Sequence, residues 1–125
     1  MIARPRCTGA ILAGGRSARF GGTPKGLQRV HGERLIDRVA RSLRSSCDDL
    51  LLVANDDAAG EWLPGVPLVR DVRPDAGALG GVLSALAQVQ GIYVPHFYTP
   101  QYADSGRVAR VGSIAPAPEK VLRSI

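Results

Sequence analysis

Four glycines, two arginines and a lysine fall between Gly14 and Lys25. Glycines let backbone N–H groups approach a ligand closely, and such N–H groups beside Arg and Lys suit the charge of a polyphosphate. The spacing is not that of a Walker A loop, in which Gly-Lys-Ser/Thr opens a helix, and no Gly-x-Gly-x-x-Gly is present. With the cations in register with the glycines, an anion site is favoured over an ordinary strand-to-helix connection.

These residues need elements to hold them. Thr8 to Ala13 is a short apolar run that reads as a buried strand entering the glycine loop. Gly26 to Gly32 reads as a short strand or extended turn. Glu33 to Ser46 has a helical period, with Leu35, Val39 and Leu43 recurring every four residues. Arg34, Arg38, Arg41 and Arg44 take its solvated faces. Leu50 to Ala54 is a continuous apolar run, as in a strand covered on both sides, and it ends at Asn55-Asp56-Asp57. Val66 to Val69 makes a third short strand that ends at Asp71. In open α/β sheets ligands bind at the carboxyl ends of strands, which makes the Asn55-Asp56-Asp57 loop and Asp71 candidate site residues. Trp62, between these strands, reads as a packing residue. Pro74 to Gly81 is a second glycine-rich loop, with Gly80 and Gly81 at its end, and Val82 to Val89 continues it as a helix. Alternating strands and helices predict an α/β fold with a parallel sheet.

Leu12-Ala-Gly-Gly-x-Ser-x-Arg-Phe-Gly21, followed by Pro24-Lys25-Gly26-Leu27, resembles the signature loop of the nucleotidyltransferases that act on sugar nucleotides. Within them it is most similar to the molybdenum cofactor guanylyltransferase (MobA-like) family. The resemblance covers about residues 8–88. It implies a Rossmann-like three-layer nucleotidyltransferase fold, here truncated. It also implies transfer of GMP from GTP to molybdopterin with release of pyrophosphate, with Mg2+ as the cofactor. By position, the backbone of Leu12, Ala13, Gly14 and Gly15 would line the nucleotide, and Arg19 and Lys25, as the catalytic cations, would hold the phosphates. Val53, Asn55 and Asp71 would lie near guanine and ribose, and Gly80 and Gly81 would allow close approach to the base. Asp71 is the candidate metal ligand. Phe20 would pack beneath the loop.

Beyond Gly91 the character changes. Tyr93, Phe97, Tyr98 and Tyr102 cluster, four of the nine prolines follow, and no strand or helix period persists beyond Val94. The family's next strand, which ends in an acidic metal-binding residue followed by Pro, has no counterpart, and Asp104 fits no such strand end. The expected division is therefore a nucleotide-binding half at 1–90 and an atypical, extended or poorly ordered tail at 91–125. Catalysis by this chain is thus a separate question from its family. A non-catalytic nucleotide-binding or interaction module is the second reading, and a cytidylyl- or sugar-nucleotidyltransferase the third. A sheet of three strands would leave an unpaired edge for a protein partner to cover.

Composition bounds the rest. A chain of 125 residues with 45% hydrophobic and 22% charged content suits one globular domain. No apolar run reaches the ~18–20 residues of a membrane span. The basic start is followed by too short an apolar run for a signal peptide. Cys7 and Cys47 form no disulfide framework or metal cluster, so reduced thiols and a cytoplasmic location are expected. The net charge of +5 is concentrated in the first fifty residues. It lacks aromatic interleaving and any nucleic-acid-binding motif, which argues against RNA or DNA as partner. His31 and His96 show no ligand spacing.

Overall fold

The computed structural model describes residues 6–15, 21–89 and 95–121. Three parallel strands form its central sheet in the order β1-β4-β5. β1 (Thr8–Leu12) pairs with β4 (Asp49–Val53) from Thr8↔Asp49 to Leu12↔Val53. β5 (Leu68–Val69) pairs with the far end of β4, Leu52 opposite Leu68. The apolar run of the central strand is explained by this order. Leu51, Leu52 and Val53 are buried in succession because both faces of β4 are covered.

One face packs on α1 (Leu35–Arg44), whose Ile36 and Ala40 join Ile11, Leu52, Ala54, Trp62 and Leu63 in the larger core cluster. Here Trp62 is 5% exposed and packs as a core residue. The other face packs on α2 (Ala78–Leu86), where Ala85 meets Leu51, Val53 and Val69. No helix among the described residues is long and apolar enough to cross a membrane.

Element boundaries differ from the sequence reading in three places, each for a local reason. α1 starts at Leu35 because Glu33–Arg34 (β3) turns back antiparallel on Arg29–Val30 (β2). The two turn residues, His31 and Gly32, both have positive φ, as a tight primed hairpin turn requires. α2 begins at Ala78, four residues before the expected Val82, so Gly80 and Gly81 belong to the helix.

The tail is the third difference. The sequence shows no strand period beyond Val94, yet β6 (Tyr98–Tyr102) and β7 (Val108–Ser113) form an antiparallel hairpin with an irregularity at Gln101/Tyr102. Both strands are mostly exposed, so no face had to alternate, and the period that would reveal them is absent. Pro100 is tolerated because a two-stranded ribbon consists only of edges. Phe97, buried against Ala87 and flanked by Leu83 and Ala117, anchors the hairpin to the end of α2.

Candidate functional site

At the carboxyl ends of β1 and β4 the sheet opens into a cavity of about 720 Å³, within the size range of small-molecule sites. Leu12 to Gly15 form one wall and Val53 and Asn55 another. Asp71, Gly77, Ala78 and Gly81 close the α2 side, and Gly22 and Pro24 border it from the glycine loop. The Leu12–Gly15 wall is fixed by the parallel ladder, which continues past β1 through the Ala13 N–H donating to the Val53 carbonyl at 2.9 Å. Gly15 has φ of +119°, a conformation a side chain would strain, so glycine is needed there to turn the chain out of the strand.

Asn55 and Asp71 are joined by a two-pronged contact across the strand ends. The Asn55 side chain donates to the Asp71 carbonyl at 3.1 Å and accepts from the Asp71 N–H at 2.8 Å. It extends the β4–β5 ladder by one side-chain rung and sets where Asp71 stands. The Asp71 carboxylate in turn accepts the Arg73 N–H at 2.8 Å through Oδ1, with the buried Ser84 hydroxyl at 3.4 Å. Arg70 donates to the Asn55 carbonyl at 2.8 Å, which holds the same loop from outside.

Most sequence-derived candidates converge on this cavity, but four need separate description. Gly81 lines it, and a Cβ at that position would lie 3.2 Å from Leu12 Cδ2. Gly80 does not line it. The space its side chain would take is filled by the chain itself, with the Arg73 carbonyl oxygen 2.2 Å from the place of a Cβ. Lys25, in the single turn Lys25–Leu27, borders a smaller adjoining cavity of about 310 Å³. That cavity lies between β1 and α1, and Leu12, Ala13 and Gly14 are common to both. Arg19, like Phe20, lies outside the described residues.

Asp56, Trp62, Asp75, Gly77 and Ala78 also line the larger cavity. The sequence reading singled out none of them individually, although it placed Asp56 in a ligand-side loop and Asp75, Gly77 and Ala78 in a second glycine loop suited to an anion or base. Gly77, with φ of +63°, and Ala78 bring the start of α2 to its edge, where unpaired helical N–H groups favour an anion. The available signal was positional, since each of these residues follows a strand end. Three carboxylates, Asp56, Asp71 and Asp75, line the cavity, and no described lining residue is cationic. Such a wall alone repels a polyphosphate, so cations at its border are needed to bind one.

The three lining carboxylates do not make a metal centre: among the described residues no three His, Cys, Asp or Glu side chains are grouped so that they could hold an ion. Mg2+ is commonly held by one or two carboxylates together with substrate phosphates and water, and the lining offers carboxylates for that in Asp56, Asp71 and Asp75.

Of the four arginines that the helical period placed on solvated faces, Arg38, Arg41 and Arg44 lie in α1 and are exposed, with Arg41 paired to Glu33, while Arg34 precedes the helix in β3 and is pinned. It forks onto Asp37 at 2.6 and 2.7 Å and reaches the Trp62 carbonyl at 2.9 Å. These bonds from Arg34 hold the Asp37 carboxyl below its ordinary range, against the opposing effect of burial.

A parallel α/β sheet covered on both faces, with a glycine-walled cavity at its strand ends, places the chain among the α/β folds whose ligand sites lie at strand carboxyl ends. Comparison with known proteins identifies which one: residues 9–96 match the MobA-like NTP transferase domain, and the chain belongs to that family. It is 45% identical over 89 residues to the molybdenum cofactor guanylyltransferase of Cupriavidus necator, covering 70% of this chain and 45% of that protein. It is 41% identical over 95 residues to the protein of that name from Ralstonia pickettii, covering 75% and 47%. A probable molybdenum cofactor guanylyltransferase of Chloroflexus aggregans is 45% identical over 86 residues, covering 66% and 40%. The match thus spans about half the length of these curated relatives or somewhat less.

Proposed function

We propose that the cavity is a nucleotide site and that the chain takes part in transfer of GMP from GTP to molybdopterin. The observation that carries this reading is the convergence of Leu12–Gly15, Asn55, Asp71 and the start of α2 on one cavity, in a chain of the MobA-like family. The names of the relatives supply the guanylyl group and the molybdenum cofactor as donor and acceptor classes.

In this reading the backbone of Gly14 and Gly15 approaches the nucleotide, and Lys25 and Arg19 neutralise its phosphates. A terminal phosphate oxygen of molybdopterin attacks the α-phosphorus of GTP. The bond to the β-phosphate oxygen breaks, and pyrophosphate leaves. Such chemistry is mostly positioning and charge neutralisation, and Mg2+ would supply part of the latter. The acidic wall makes that neutralisation necessary, and Asp71 is the carboxylate that would hold the ion. Asn55 positions Asp71, and Gly81 leaves room beside Leu12.

Calorimetric titration with GTP, CTP and ATP in the presence of Mg2+, repeated on Lys25→Ala, tests the site. Saturable binding selective for GTP, weakened at least tenfold in the variant, is the expected result. No binding to any nucleotide would remove the reading. Pyrophosphate release on adding molybdopterin then separates transfer from binding alone.

A further inference from the structure

Cys7 and Cys47 stand 40 positions apart in the chain, yet their sulfurs are 3.5 Å apart. The parallel pairing of β1 and β4 explains the approach. Its first register pair is Thr8↔Asp49, so the residues leading into the two strands become neighbours. Backbone bonds fix both. The Cys7 N–H donates to the Asp48 carboxylate at 2.8 Å, and the Cys7 carbonyl accepts the Asp48 N–H at 2.8 Å. The Cys47 N–H donates to the Leu43 carbonyl at the end of α1, at 2.7 Å. The Cys47 sulfur lies over Gly9, where a Cβ would come within 3.2 Å of it. No disulfide joins them in this structure, where Cys7 is exposed and Cys47 half-buried.

We propose that Cys7 and Cys47 form a redox-active pair that closes to an intrachain disulfide by exchange with a low-molecular-weight disulfide of the glutathione type. The exposed Cys7 thiolate attacks one sulfur of the reagent, whose S–S bond breaks and releases one thiolate. The Cys47 thiolate then attacks the Cys7 sulfur of the mixed disulfide and expels the second. Two protein thiols are oxidised to one disulfide, and the reagent is reduced to two thiols that take up the two protons. A disulfide bond is about 2.05 Å long, so closure asks for about 1.5 Å of sulfur movement, within reach of side-chain rotation.

The bond would link the starts of the two strands whose far ends wall the cavity, and it would enclose the glycine loop and α1 in one covalent ring. The cavity lies a strand's length away, about 16 Å for five residues. The thiols therefore play no part in the proposed nucleotide site, and the test needs no nucleotide.

The purified chain, reduced and then incubated with oxidised glutathione, is alkylated, weighed intact, peptide-mapped and melted. The expected product has no alkylatable thiol, is lighter by two hydrogens, yields a peptide linked through Cys7 and Cys47, and returns to its starting state with dithiothreitol. Its thermal midpoint rises by roughly 5–15 °C, because a closed loop of this length restricts the unfolded chain. Cys7→Ser and Cys47→Ser each carry one glutathione adduct instead and show no such rise. Stable adducts on both thiols of the unsubstituted chain, or a bond between two chains, would overturn the pairing. A closed bond that leaves the midpoint unchanged or lower would overturn its role as a staple of the native sheet.

Discussion

At the scale of single residues, Asn55 and Asp37 do their work on other parts of the chain. Asn55 spends its amide on the Asp71 backbone at both ends. Asn55→Ala is therefore expected to cost about 1 kcal/mol of stability in urea melts. In the titration described above it is expected to weaken nucleotide binding by roughly tenfold, as Asp71 drifts. Equal affinity in the variant would show that Asp71 holds its place without the fork. Strand-end position singled out Asn55 in the sequence. Its partner 16 residues on was not legible, because the contact exists only once β5 lies beside β4. Asp37 makes a different prediction. Its carboxyl titrates below the ordinary value of about 3.9 because Arg34 grips the charged form. A depressed folded pKa contributes stability above the unfolded value, and that contribution is lost as pH falls through the folded one. Asp37→Asn should thus be less stable than the unsubstituted chain at pH 6, by under about 1 kcal/mol for a pair this exposed. The two should converge as pH drops from about 4 towards 2. Parallel denaturation curves down to pH 2 would refute the assignment.

At the scale of elements, α2 carries the clearest lesson. Gly77-Ala-Leu-Gly-Gly81 has the composition of a loop, yet the chain is helical from Ala78. The glycines are accounted for by contacts absent from any local pattern. A Cβ on Gly80 would meet the Arg73 carbonyl at 2.2 Å and Asp71 Oδ1 at 3.0 Å. Gly80→Ala must push α2 away from the loop that carries Asp71, at a cost of about 2 kcal/mol or more. Gly60→Ala has nothing within 4 Å and should leave the melting curve nearly unchanged. A pair of variants with equal midpoints would contradict this account of the close approach. By contrast the helix at α1 and the apolar run of β4 are legible in the sequence, although α1 buries Ile36 and Ala40 and leaves Val39, which the expected stripe of Leu35, Val39 and Leu43 included, 45% exposed. Leu51, Leu52 and Val53 showed that β4 is covered on both faces before any neighbour was known. The β6–β7 hairpin left no such trace, because it buries almost nothing along its strands.

For the molecule as a whole, the unbalanced feature is the outer edge of β1. Among the described residues β1 pairs only with β4, so its other side offers unpaired backbone groups. Exposed apolar side chains occur on the helices of both faces of the sheet. Val39 of α1 is exposed on one side, while Leu12 and the α2 residues Val82 and Leu86 are exposed on the other. Leu79, at the start of α2, is 63% exposed. An open strand edge beside such a surface favours pairing between copies of the chain, and a net charge of +5 opposes it. The balance gives a direction that sedimentation velocity can read. Association should grow with protein concentration and should strengthen as salt screens the like charges. Leu79→Lys with Val82→Lys should shift the chain towards monomer without lowering its thermal midpoint, because neither side chain is buried. A monomer at every concentration and salt level would mean that the apolar surface and free edge are already shielded within one chain. Association that weakens with salt would instead make opposite charges, and not this edge, the force between copies.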